Sequence, residues 1–199
     1  MEVNLLKQEV IDFFDSLAPG WDARQILDEG NINTILDNAG VGVGRSILDV
    51  ACGTGVLVPW YLERKVDSVL GVDISPEMIR IGQNNHQNPK VSLIHGDIEE
   101  INFDRKFDCA MIFNSFPHFP EPERLVERLI EFLEPGGSLS VGHSMSRVQI
   151  DQCHSGSAKK VSLGLLPAEE LAAIFRKWLD VTVVIDNDEM YQVVGVKTS

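Results

Sequence analysis

The run Ile47-Leu48-Asp49-Val50-Ala51-Cys52-Gly53-Thr54-Gly55-Val56-Leu57 takes an apolar strand into a glycine turn with a helix opening behind it. An open α/β sheet presents backbone N–H groups to a nucleotide-like ligand in this way. A pyrophosphate fingerprint spaces its glycines G-x-G-x-x-G, the later ones for close backbone approach and tight helix–strand packing. Gly53 and Gly55 are present, but Val58 holds the third place. Asp49, four residues before Gly53, sets a carboxylate where an anion would be repelled. The turn suits a ligand with a positive charge and no phosphate.

S-adenosylmethionine, with its sulfonium and ammonium groups, meets both constraints. The segment resembles the first motif of the class I S-adenosylmethionine-dependent methyltransferases, and the resemblance continues in order. Gly71 to Ile79 is similar to the second strand with its acidic ribose-binding end, and His95-Gly96-Asp97-Ile98 to the adenine-binding turn. Phe107 to Asn114 resembles the fourth strand, and Leu133 to Leu139 the turn into the fifth. Upstream, Phe13 to Asp22 is similar to the leader of the ubiquinone/menaquinone C-methyltransferase-like branch. The resemblance spans most of residues 10 to 142.

A chain of 199 residues is an ordinary single-domain length. Its formal net charge of −13 argues against a broad nucleic-acid footprint, which needs a basic face. Basic residues cluster no further than pairs such as Lys159-Lys160, which reads as a solvated turn. Cys52, Cys109 and Cys153 lack metal-ligand spacing, and the first two read as small packing residues. No metal is expected. The charged residues Glu2, Lys7, Glu9 and Asp12 break any signal-peptide core, and no apolar run nears the ~20 residues that span a bilayer. These features predict a cytoplasmic protein without membrane insertion.

Periodicity predicts alternating helices and strands in one domain, residues 1–199. An amphipathic helix is expected over about 3–17, with Leu6, Val10, Phe13, Phe14 and Leu17 on one stripe, and another within 22–38. Strands follow at 46–51, 67–73, 90–95, 108–113 and 138–143, with helices at 55–64, 76–85 and about 121–133 between them. A helix from Pro167 to Trp178 and a hairpin, Val181 to Ile185 with Tyr191 to Val196, close the chain. The order implies a Rossmann-like, doubly wound α/β fold. Its seven-stranded sheet is mostly parallel with an antiparallel last strand, and helices cover both faces. Residues 1–40 are expected to form part of a lid.

Ligands of such sheets sit outside the carboxyl ends of the strands. Asp49, Asp73, Asp97, Asn114 and His143 fall at or just past those ends. Asp73, 24 residues after Asp49, can accept both ribose hydroxyl protons; as a carboxylate at a helix start it also satisfies the dipole. By the resemblance Asp97 accepts from the adenine amino group, with Ile98 beside it and Ile74 on the ring face; a plain turn aspartate is the alternative. Asp49 would hold the methionine ammonium or else cap the turn. The cofactor set is completed by Ala51, Gly53, Gly55, Met78, Asn114 and Trp21. Met78 also fits core packing, and Trp21 an interface.

A general base is needed only if the methyl acceptor must lose a proton at or before attack. His118, His143 and His154 are the candidates, His118 and His143 the stronger ones. His118 also fits a packing role between Phe116, Pro117, Phe119 and Pro120. Nucleobase and amide N-methyltransferases carry Asn/Asp-Pro-Pro-aromatic after the fourth strand; here the residues are Asn114-Ser115-Phe116-Pro117, which argues against those substrates. Residues 144–166 are long for a connection. Ser146 to Gln149 has a capping-box pattern, so a short helix is expected there, carrying Gln152, Cys153 and His154 toward the rim. The insert then shapes the acceptor pocket, or it is a surface excursion.

The leading function is methyl transfer from S-adenosylmethionine to a small-molecule acceptor, leaving S-adenosylhomocysteine. A cofactor-binding module or partner subunit without catalysis is the second reading. An NAD-dependent oxidoreductase is a third, opposed by Val58 and by the lack of Tyr-x-x-x-Lys.

Overall fold

The computed structural model describes residues 7–153 and 157–198. Among them, β1 (Ser46–Val50), β2 (Ser68–Asp73), β3 (Val91–His95), β4 (Phe107–Phe113), β5 (Leu133–His143), β6 (Leu179–Asp186) and β7 (Tyr191–Lys197) form one sheet, in the order β3-β2-β1-β4-β5-β7-β6. Pairings from β3 through β5 are parallel, and β7 runs antiparallel to both β5 and β6. The fold is therefore the doubly wound one expected, with the antiparallel last strand inserted next to the edge. Strand order reverses between β1 and β4, and a crevice opens at the carboxyl ends there.

The helices are α1 (Lys7–Leu17), α2 (Trp21–Arg24), α3 (Glu29–Asn38), α4 (Val58–Glu63), α5 (Pro76–Asn85), α6 (Pro122–Glu131), α7 (Arg147–Cys153) and α8 (Ala168–Phe175). Alternation along the central strands explains why both faces are covered. Leu48, Val50, Ala110 and Ile112 pack with Leu125 and Leu129 of α6 and Leu171 and Phe175 of α8. Ile47, Cys109 and Met111 pack instead with Ile32, Ile35 and Leu36 of α3 and with Tyr61 of α4. Each fully buried aliphatic side chain of this kind stabilises the fold by roughly 1.5–3 kcal/mol. None of the described helices is long and apolar enough to cross a membrane.

Of the boundaries that depart from expectation, two have a clear local cause, while the helix expected to reach Trp178 ends at Phe175. The helix after the glycine turn begins at Val58 and not at residue 55, because Gly53 (φ 55°) and Gly55 (φ 82°) are left-handed and cannot enter an α-helix. β5 starts at Leu133, before the Pro135-Gly136-Gly137 turn, because Phe107 pairs with Leu133 and Cys109 with Ser138. Residues 134–137 are thus looped out of a continuous strand.

Candidate functional site

Chain reversals at the ends of β1 and β4 shape the crevice. Three non-glycine residues among those described have positive φ, and two of them end these strands: Ala51 (φ 52°) and Asn114 (φ 54°). Backbone strain of this kind concentrates at ligand sites. Asn114 is held there by its side chain, which accepts from the Ser144 N–H at 3.1 Å and donates to Ser144 Oγ at 3.3 Å.

A cavity of about 420 Å³ lies over these ends. Asp49, Ala51, Gly53, Asp73, Ile74, Met78, Asp97, Ile98, Asn114, Trp21 and His118 all line it. The strand ends and the amino-terminal helices thus bring eleven of the thirteen candidate side chains together. The other two stand apart. Gly55 lies outside this lining, and a Cβ there would meet the His86 ring at 2.9 Å, so its bare backbone serves helix packing. His143 is buried at the end of β5, where it pairs in register with Tyr191 of β7 and stacks edge to face on that ring at 5.9 Å. Cross-strand partners share a face, and this face does not line the cavity. His154 lies outside the described residues, as do Leu6 and the side chain of Cys153, and Gln152 is exposed.

Two buried carboxylates dominate the β1–β2 side. Asp73 accepts from the Gly53 N–H at 2.7 Å through one oxygen and from the Ser75 N–H at 2.8 Å through the other. It ties the glycine turn to the start of α5, where Ser75 Oγ caps the Met78 N–H and Pro76 follows. Burial raises the Asp73 pKa, and these backbone N–H groups oppose the rise. Asp49 has no such backbone donors among the described residues. Burial pushes its pKa up to about 8, with the Tyr61 hydroxyl pulling down and the Asp73 charge adding to the rise. Among the described residues no cation compensates it, so it is a carboxyl site suited to a cationic group.

Above these groups, α1 and α2 form a roof. Phe14 contacts Phe13, Trp21 and His118 edge to face, at 5.3, 6.0 and 4.9 Å. Polar contacts from three residues fasten the roof. Lys7 Nζ lies 2.5 Å from Asp97 and 3.0 Å from Glu99, and these acids raise its pKa against the opposing effect of burial. Asp15 accepts from Ser75 Oγ at 2.5 Å, and Asp22 from Thr54 Oγ1 at 2.5 Å and Asn85 Nδ2 at 2.9 Å. Sequence reasoning missed Lys7, Asp15, Asp22 and Glu99 as site residues. The one available signal was that Asp15 and Asp22 lie within the Phe13-to-Asp22 leader, Lys7 precedes it, and Glu99 follows the Gly96 turn.

On the β4 side, the 3-10 turn Phe116–His118 carries the histidine into the wall. Its Nδ1 lies 2.6 Å from the Val161 carbonyl oxygen. The capping box at Ser146 forms as expected, Ser146 Oγ accepting from the Gln149 N–H at 3.3 Å and Gln149 Oε1 from the Ser146 N–H at 3.0 Å.

The chain is similar to known proteins in sequence and in fold. The model of a methyltransferase-domain family matches residues 47–137. A demethylmenaquinone methyltransferase of Paenarthrobacter aurescens is 31% identical over 139 residues, covering 67% of this chain and 54% of the relative. The chain thus spans about half the length of that curated relative. Among solved structures, a chain of the complex between the Haloferax volcanii Trm112 methyltransferase activator and a putative methyltransferase superposes with TM-score 0.75 at 18% identity, covering 98% of each chain. The N-methyltransferase NodS of Bradyrhizobium japonicum, in complex with S-adenosyl-L-homocysteine, superposes with TM-score 0.74 at 12% identity, covering 97% of this chain and 99% of that one.

Proposed function

We infer that this chain, a member of the class I S-adenosylmethionine-dependent methyltransferases, moves the methyl group of S-adenosylmethionine to a small-molecule acceptor. The observation that carries this reading is the pair of buried carboxylates, Asp49 and Asp73, at adjacent strand ends in one cavity. A bound sulfonium supplies the electrophilic methyl carbon. The chain's own groups bind and orient it. Asp49, lacking a compensating cation, takes the ammonium. Each Asp73 oxygen uses one lone pair on a backbone N–H and keeps another for a ribose hydroxyl. Ile74, Ile98 and Met78 supply apolar walls for the adenine, and Asp97 faces its amino group while Lys7 retains Glu99 as a partner. Gly53 lets the ligand approach the backbone, since the nearest atoms to a Cβ there are Trp21 Nε1 at 3.8 Å and Met78 Sδ at 4.0 Å.

Displacement at the methyl carbon needs alignment and exclusion of water more than covalent help from the protein. α1 and α2 meet that need as a lid fastened through Lys7, Asp15 and Asp22. Calorimetric titration with S-adenosylmethionine, S-adenosylhomocysteine and NAD tests the reading. Saturable binding of the two adenosyl ligands and none of NAD is expected. Binding of NAD alone, or of none of the three, contradicts it.

A further inference from the structure

Tyr61 stands behind Asp49. In α4 the buried residues Val58 and Tyr61 share one side of the helix. Side chains alternate along β1, so Asp49 follows Ile47 onto one side of the sheet. Ile47 packs there with Tyr61 and with Met111, the β4 partner of Asp49. Asp49 also lines the cavity, whereas Tyr61 is not part of the lining. The carboxyl thus has the cavity on one side and the phenol on the other.

The Tyr61 side chain is fully buried, and its hydroxyl meets no group among the described residues at hydrogen-bonding geometry. A phenylalanine would fill the same apolar space without burying a hydroxyl, and a buried hydroxyl left unpaired costs free energy. Yet it stands close enough to Asp49 for each group to act on the other. Burial raises both; the hydroxyl then draws Asp49 down, and the Asp49 charge pushes Tyr61 further up. The phenol therefore keeps its hydrogen and can donate it. Asp73 from β2, Cys52 from the glycine turn and Cys109 from β4 are the other titratable groups acting on this pair, and none of them is a cation. Elsewhere in the lining, Lys7 is engaged by Asp97 and Glu99, and His118 sits on the turn after β4.

We propose that Tyr61 is the positioning residue for Asp49: its hydroxyl closes on the carboxylate from the core side and holds it toward the cationic amino group of the cofactor. The proposal rests on the methyl-transfer reading, in which Asp49 takes that amino group. A carboxylate has lone pairs on both oxygens, so one can accept from the phenol while the other faces the ammonium. A hydrogen bond to an ionised group is roughly twice as strong as one between neutral groups. Cofactor binding, by ionising Asp49, thus supplies the partner that the hydroxyl lacks in the apolar core.

The first test titrates the Asp49 carboxyl in the full chain without ligand, by carbon-13 spectra of protein labelled at the aspartate carboxyl carbons. Asp49→Asn identifies the resonance. From a wild-type midpoint of about 8, Tyr61→Phe is expected to move it up by about one pH unit. An unchanged or lowered midpoint in the folded variant overturns the proposal. The second test measures S-adenosylhomocysteine affinity by calorimetry over about pH 6 to 9.5. Because the ionised carboxyl is the form that holds the ammonium, Tyr61→Phe should bind about tenfold more weakly at pH 7, with the loss closing above about pH 9. A loss of one size at every pH would mark a packing role, and no loss at pH 7 would remove the link to the cofactor; either overturns the proposal. A wild type that binds no S-adenosylhomocysteine strikes the methyl-transfer reading and the cofactor half of the proposal with it. The carboxyl titration still decides whether Tyr61 acts on Asp49.

Discussion

On the β1–β2 side of the cavity, Asp73 is fixed by backbone N–H groups at positions 53 and 75, so turn, strand end and helix start hold one another. On the β4 side, His118 is fixed by a carbonyl 43 residues away and by an aromatic ring from α1. The first wall is made of neighbouring backbone, the second of distant segments that happen to meet. A wall of the first kind suits a ligand that does not vary. One of the second kind lets the distant segments that meet there change while the turn stays intact.

Asp73→Ala breaks the first wall hardest. S-adenosylhomocysteine affinity should fall by roughly 1.5–3 kcal/mol, about 10- to 150-fold. The melting temperature should fall too, since the Gly53 and Ser75 N–H groups lose their acceptor. Calorimetry and thermal denaturation check this; unchanged affinity would remove Asp73 from the site.

Asp49 separates binding from architecture. With its carboxyl pushed up to about 8 by burial, a bound ammonium must draw it down, so binding at pH 7 releases a proton and affinity rises as pH approaches 8. Asp49→Asn should cost roughly 1–2 kcal/mol, about 5- to 30-fold, and abolish that release, measured in buffers of different ionisation enthalpy. The sign for stability is opposite. A carboxyl with its folded pKa raised favours folding less as pH climbs from about 4 in the unfolded chain to about 8 in the folded one. The unliganded Asp49→Asn chain should therefore gain more in melting temperature at pH 8 than at pH 5.

Lys7→Met probes the lid. The Lys7 side chain is 48% exposed, so its ion pairs are screened and worth about 0.2–1 kcal/mol. A loss of cofactor affinity of no more than about fivefold is expected, disappearing at high salt. His118→Asn should have the smallest effect on cofactor affinity. A large one would show that the two walls are not separable.

The same division governs what could be read before folding. Asp49, Gly53 and Asp73 were legible because strand, turn and carboxylate lie close together in sequence, and the backbone geometry that joins them is local. The two histidines at strand ends look equivalent in sequence. They are told apart by place: His143 stands opposite Tyr191 in β7 and does not line the cavity, whereas His118 does. The pairing of Lys7 with Asp97, 90 residues apart, has no periodicity to announce it. The delayed start of α4 shows the limit of helix periodicity where left-handed glycines intervene.

A crystal structure of the chain with S-adenosylhomocysteine bound tests the account most directly. The ribose hydroxyls are expected on Asp73, the amino group at Asp49 and the sulfur directed toward the His118 wall. A ligand lying outside the Asp49–Asp73 cavity, or held there with neither carboxylate in contact, would contradict it.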